Sequence, residues 1–167
     1  MTRGHKLILL FALTAMVLGL AAFLAKQQRA PALTLRLLGG PGLSLESLKG
    51  QVVIVHFWST TCGECEATLG LLAQQYRRYQ GRGLETLAIT SIYDQPAQVA
   101  SYAYANNLPF KIIQDDGSAA RAFALGGANP PLTFLLDRHG RIKQRLAGRP
   151  DPARLQALVE KLLAEAP

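Results

Sequence analysis

FWSTTCGEC, residues 57–65, stands at the junction of two contrasting patterns. Before and into it runs QVVIVHFW (51–58), a β-branched and aromatic stretch of the kind that forms a strand buried on both faces. After it, over 64–80, Leu69, Leu72, Ala73 and Tyr76 recur on one helical face, and Gly81 and Gly83 close the segment. Cys62 therefore falls where a strand ends and a helix begins. A helix N-terminus offers free N–H groups and a partial positive charge. Both favour a thiolate over a thiol, and a cysteine so placed has its pKa lowered to roughly 3.5–7.5 from about 8.5. The thiolate is the attacking species in thiol–disulfide exchange. Cys65, one turn later, lies close enough to resolve a mixed disulfide. The expected roles are an exposed nucleophile, Cys62, and a more buried resolving thiol, Cys65.

These are the chain's only two cysteines. A bridge across so short a loop adds little global stability, so the pair points to chemistry rather than support. A structural zinc site needs about four ligands. Beyond the cysteines only His5, His56 and His139 are present, scattered along the chain, and no metal is expected. Covalent haem attachment needs histidine directly after the second cysteine, where Glu66 stands. Glu64, between the cysteines, places a like charge beside the nascent thiolate. It either holds the Cys62 pKa up and favours electron donation, or is a solvated helix-start carboxylate of small effect.

The rest of the pattern predicts an α/β domain. Strands are expected at 33–38, 51–58, 84–92, 110–113, 132–136 and 142–146, and one helical turn at 44–48. Helices are expected at 64–80, 96–107, 118–125 and from Pro152, capped by Asp151, to about Ala164. Early strands alternate with helices and a hairpin around Asp137–Gly140 closes the series. That order gives a mixed central sheet with helices on both faces.

Residues 7–25 (LILLFALTAMVLGLAAFLA) carry no charge. At about 1.5 Å per residue they span roughly 28 Å, near the hydrocarbon thickness of a bilayer. The run exceeds the apolar core of an ordinary signal peptide and lacks a well-placed small-x-small cleavage site, which favours an uncleaved transmembrane signal anchor. The expected organisation is a flank at 1–6, the anchor at 7–25, a tether at 26–32 and one domain at 33–167. The net charge is +7, of which the first 30 residues supply +4 and the remainder only +3. So mild a balance suits an anionic membrane surface and gives no support to a nucleic-acid partner. Arg141, Lys143 and Arg145 alternate and, with Arg138 and Arg149, are expected to form a basic edge that resists edge-to-edge pairing.

FWSTTCGEC resembles the thioredoxin signature of a hydrophobic strand, Phe-Trp, three residues and then Cys-Gly-Pro-Cys. SLESLKGQVVIVHFWSTTC is similar to the opening of the membrane-anchored thioredoxin-like proteins of the TlpA/ResA group. The segment between Leu84 and Gly127 resembles the strand and helix that this group inserts, and NPPLTFLLDRHGRI its Pro-Thr-Thr-Phe-Leu-Ile-Asp-x-x-Gly stretch. The resemblance covers about 33–163 and implies a thioredoxin-like fold preceded by one transmembrane helix. It implies that Pro131 is the cis-proline facing the cysteines and binding substrate, with Thr61 beside it. It also implies that Trp58 packs at the site, with Gly63, Glu64 and His56 tuning it. Exchange with disulfide-bearing protein substrates needs no organic cofactor beyond the Cys62–Cys65 disulfide. The resemblance also implies re-reduction by a membrane thiol transporter.

Departures from the group bear on proton handling. Thr68 stands where many members have Glu, Gly70 where they have Pro, and Leu132 where they have Thr; Pro130 before the cis-proline is unusual. His56 occupies the position of thioredoxin's buried Asp. It is expected either to relay protons near neutral pH or simply to be a hydrogen-bonded strand histidine. The leading function is a reductase of extracytoplasmic disulfides, placed at the bacterial inner membrane with its domain facing the periplasm or outside, with cytochrome c maturation as one setting. The alternatives are a disulfide-forming oxidase, a metal chaperone and a peroxiredoxin-like peroxidase. The last resembles Pro-x-x-x-Thr/Ser-x-x-Cys, which Ser59 fits and Val55 does not.

Overall fold

The computed structural model describes residues 12–14, 16 and 28–165. The flank 1–6 and nearly all of the apolar run 7–25 lie outside the described residues. Among those described, no helix is long and apolar enough to cross a membrane. The domain begins with a small ribbon of β1 (Thr34–Arg36) and β2 (Gly42–Ser44), then a 3-10 turn at Leu45–Leu48. There follow β3 (Val52–Trp58), α1 (Gly63–Tyr79), β4 (Leu84–Thr90), α2 (Pro96–Ala105), β5 (Lys111–Gln114) and α3 (Ser118–Ala122). A hairpin of β6 (Leu132–Leu136) and β7 (Ile142–Ala147) leads to α4 (Pro152–Ala164).

The main sheet has the order β5-β4-β3-β6-β7. β3 is central, parallel to β4 from Val52↔Leu84 to Trp58↔Thr90 and antiparallel to β6 from Val53↔Leu136 to Phe57↔Leu132. Both faces of β3 are covered, so its apolar run is continuous rather than alternating. Successive side chains still point to opposite faces. Val52, Ile54 and Trp58 join the core under α1, α2 and α4. Val53, Val55 and Phe57 join the core under α3, the 3-10 turn and the ribbon. This is the mixed sheet with helices on both faces that the pattern predicts.

Element ends follow local chemistry. α1 passes through a 3-10 turn at Gln80–Arg82, and Gly83, at φ +91°, turns the chain into β4 in a conformation that glycine adopts without steric cost. At α4 the Asp151 carboxylate accepts from the Arg154 N–H at 2.8 Å, with Pro152 at the first helical position.

Besides β2, which the sequence pattern does not predict, two regions differ from the sequence expectation. Part of the segment read as a tether is built into the domain. The Ala30 N–H donates to Gly140 O at 2.8 Å and the Ile142 N–H to Gln28 O at 2.7 Å. The basic edge loses Arg138, whose guanidinium donates to the carbonyls of Gly50 at 2.7 Å and Leu163 at 3.2 Å. Arg145 lies over the Phe134 ring at 5.6 Å, and Lys143 is 3.8 Å from Asp137. Because β6 runs against β3, the 28–30 and 140–142 contacts sit at the start of β3, the end of the sheet remote from Cys62.

Candidate active site

β3 ends at Trp58, and Cys62 forms the N-cap of α1 with extended backbone (φ −93°, ψ 109°). Its N–H donates to Ser59 O at 3.1 Å, and its carbonyl accepts from the Cys65 N–H at 3.1 Å. Cys62 is half-buried, while Cys65 is 1% exposed on the inward face of α1. The two are joined in a disulfide with an S–S distance of 2.06 Å. The more exposed cysteine is thus the one at the helix terminus, where a thiolate gains from the helix field. Gly63 opens the helix, and a Cβ built there would meet nothing within 4 Å. Space does not demand glycine at this position; its absence of bulk leaves the approach to Cys62 open.

The turn before Cys62 is tied down by a residue that the sequence reading did not single out. Asp94, in the loop between β4 and α2, accepts from the Ser59 hydroxyl, the Thr60 N–H and the Thr60 hydroxyl. A row of three hydroxyl residues ahead of a cysteine was the available signal, since such donors need an acceptor once the strand has ended. Thr61 is exposed and pairs with the Ser59 hydroxyl at 3.0 Å.

Trp58 is buried among the same apolar side chains as Cys65, against Tyr102 at 5.1 Å between ring centres. His56 is fully buried on the same face of β3, its Nδ1 2.9 Å from the Thr133 hydroxyl and its Nε2 without a hydrogen-bond partner among the described residues. Burial lowers its pKa from 6.5 to about 3. That shift favours the uncharged ring near neutral pH, as expected of a hydrogen-bonded strand histidine. Thr68 is also buried, and its hydroxyl donates back to Glu64 O at 3.0 Å, as helix-interior threonines do.

Pro130–Pro131 is a cis peptide bond. Pro131 is buried and its carbonyl accepts from the Gly148 N–H at 2.9 Å. Its neighbours Pro130 and Leu132, rather than Pro131 itself, line a groove of about 750 Å³ that reaches Cys62 and Glu64. Across the groove the turn after β4 presents Ile92 and Tyr93, 48% and 88% exposed. The exposed Glu64 carboxylate points towards Gly148, 4.0 Å from where a Cβ on that glycine would lie. Val55, where a peroxidase pattern requires proline, sits mid-strand, paired with Leu87 on one side and Phe134 on the other. A central strand position of that kind excludes proline. Among the described residues no group of three or more His, Cys, Asp or Glu side chains is placed to hold a metal ion.

Comparison with known proteins agrees with this geometry. The model of the AhpC/TSA family matches residues 27–145. Thiol-disulfide oxidoreductase ResA of Geobacillus thermodenitrificans is 31% identical over 120 residues, 71% of this chain and 67% of that protein. The ResA of Bacillus thuringiensis is 26% identical over 136 residues, 81% of this chain and 77% of that protein. A thiol:disulfide interchange protein of the thioredoxin family from Chlorobium tepidum superposes with a TM-score of 0.75 at 24% identity, covering 83% of this chain and 97% of that one. A five-stranded mixed sheet, a redox-capable cysteine pair at a strand–helix junction and these likenesses together carry one conclusion: the fold is thioredoxin-like and the chain belongs to the AhpC/TSA family.

Proposed function

We propose that Cys62 and Cys65 are the working pair of this thiol–disulfide oxidoreductase, and that it reduces disulfides of protein partners outside the cytoplasm. One observation carries the assignment of roles: half-buried Cys62 stands at the N-cap position of a seventeen-residue helix, and Cys65, bonded to it, is buried. In the reduced protein the Cys62 thiolate attacks one sulfur of the partner's disulfide. A mixed disulfide forms and the partner's other sulfur leaves as a thiolate, which takes up a proton. Cys65 then gives its proton to solvent and attacks Cys62 Sγ. The second partner thiolate leaves, and the Cys62–Cys65 disulfide remains, two electrons having passed to the partner.

The groove beside Cys62 is lined by Ile92 and Tyr93 from the turn after β4 and by Pro130 ahead of β6, and an extended polypeptide is its proposed occupant. Pro130 has no N–H, so backbone pairing at that residue is restricted to its carbonyl accepting from the partner. The uncharged run 7–25 supports a single membrane anchor, and an oxidisable pair on an anchored domain supports a periplasmic or outside-facing location. A membrane thiol transporter then restores the dithiol, without a bound organic cofactor. Cytochrome c maturation is proposed as the setting on the strength of the resemblance to the TlpA/ResA group.

Cys65→Ala removes the resolving thiol and leaves the nucleophile. Expressed in cells and alkylated at harvest, the variant is expected to carry partner proteins on Cys62 as stable mixed disulfides, identified by mass and released by dithiothreitol. Cys62→Ala is expected to trap none. Equal trapping by the two variants, or trapping by Cys62→Ala alone, contradicts the assignment of roles.

A further inference from the structure

The segment that presents Cys62 is rich in donors. Ser59, Thr60 and Thr61 bring three hydroxyls and three N–H groups past the end of β3. A single carboxylate from another element takes up much of that demand. Asp94 Oδ1 accepts from the Ser59 hydroxyl at 3.1 Å, the Thr60 N–H at 3.1 Å and the Thr60 hydroxyl at 2.6 Å. Its Oδ2 accepts from the Ser91 N–H at 3.2 Å, and its own N–H donates to Ser91 O at 3.1 Å. The Asp94 carbonyl accepts from the Gln114 side-chain amide at 3.2 Å, which ties the residue to β5. Asp94 is only 6% exposed. Bonds to a buried carboxylate are stronger than those between neutral groups, and removing the acceptor leaves several donors unsatisfied at once. The clamped turn is one bond from the site, because Ser59 O accepts the Cys62 N–H at 3.1 Å.

We propose that Asp94 is the positioning residue of the redox site, holding the Ser59–Thr60 turn so that Cys62 stays at the N-cap of α1, and tying that turn to the Ser91–Asp94 turn that carries Ile92 and Tyr93. The inference rests on Cys62 being the nucleophile. The helix field fades within the first turn, so a nucleophile on a slack turn forfeits its activation. Asp94 does not touch the reacting sulfur and acts through the turn. Two effects of the carboxylate therefore oppose each other. Its negative charge works against a nearby thiolate, while its hydrogen bonds keep the sulfur where a thiolate is favoured. Asparagine at 94 retains an oxygen for the three Ser59–Thr60 donors and removes the charge. Alanine removes both.

The test is the rate of iodoacetamide alkylation of Cys62 against pH, measured on the reduced full chain in detergent with the modified residue identified by mass. Glu64, Tyr93, Asp115 and Arg121 line the same groove and His56 lies buried on β3, unchanged in every variant. Asp94→Ala is expected to move the profile up by about one pH unit, so that alkylation at a pH well below the wild-type midpoint slows about ten-fold. Asp94→Asn is expected to match the wild type or move the profile slightly down. Thr60→Val removes only the 2.6 Å donor and is expected to move it up by less than Asp94→Ala, which keeps the test open should the alanine variant fail to fold. A downward shift in both Asp94 variants shows that charge alone matters and overturns the positioning role, as does an unchanged profile in Asp94→Ala and Thr60→Val. A wild-type profile centred at about 8.5, the value of a free thiol, instead overturns the nucleophile assignment beneath it, and this inference with it.

Discussion

His56 shows how one buried side chain sets both a pH dependence and a limit on mechanism. Its folded-state pKa lies at about 3 against 6.5 when unfolded, because burial penalises the charged ring. Above pH 6.5 neither state is protonated at this ring and folding pays no penalty. As the pH falls from 6.5 towards 3 the unfolded chain takes up a proton that the native chain refuses, and stability drops. At pH 5 the loss is about 2 kcal/mol. Urea unfolding of the wild type and of His56→Asn between pH 7.5 and 5 checks this: the wild type is expected to lose about that much more than the variant. Parallel curves contradict it. The cysteines were legible at this scale because their spacing and the strand–helix junction are local features. Asp94 was not, because its partners are some 35 residues away in sequence and only the fold brings a β4–α2 loop against a β3–α1 turn. Lying just ahead of Pro96, it reads locally as the start of α2.

Among the elements, those that follow a strong period were recovered almost to the residue. β3, α1, β6 and α4 each bury a continuous run or a helical stripe, and such patterns depend little on distant partners. β2 was missed because Gly42–Ser44 is three residues with no period, and it gains its structure solely by pairing with β1 outside the main sheet. The tether was read too long for a similar reason. Gln28 and Ala30 are fixed by backbone bonds to the β6–β7 turn, and backbone bonds leave no trace in side-chain pattern. α4 offers a control on stability apart from chemistry. Asp151→Ala removes the cap to the Arg154 N–H and is expected to cost about 1 kcal/mol in thermal or urea unfolding. Disulfide exchange by the folded protein is expected to stay at the wild-type rate, because the cap lies outside the groove at Cys62. A fall in exchange rate without a fall in stability contradicts that separation.

Across the whole molecule the sheet divides two tasks between its ends. At the start of β3, residues 28–30 are pinned beside 140–142; at its finish, Trp58 delivers the chain to Cys62. Seven residues of strand at about 3.3 Å each set roughly 20 Å between the entry of the chain and the redox site. Were the proposed anchor to precede residue 28, the cysteines would lie at the opposite end of β3 from it. For that arrangement to donate electrons, the Cys62–Cys65 disulfide has to be reducible yet reducing. The measurement that bears on it most directly is an equilibrium redox titration of the pair in dithiothreitol buffers, read by alkylation and mass. The expected midpoint is near about −270 mV, the value of thioredoxin; a midpoint near about −120 mV marks an oxidant and one well below about −300 mV a structural bridge, and either contradicts the account.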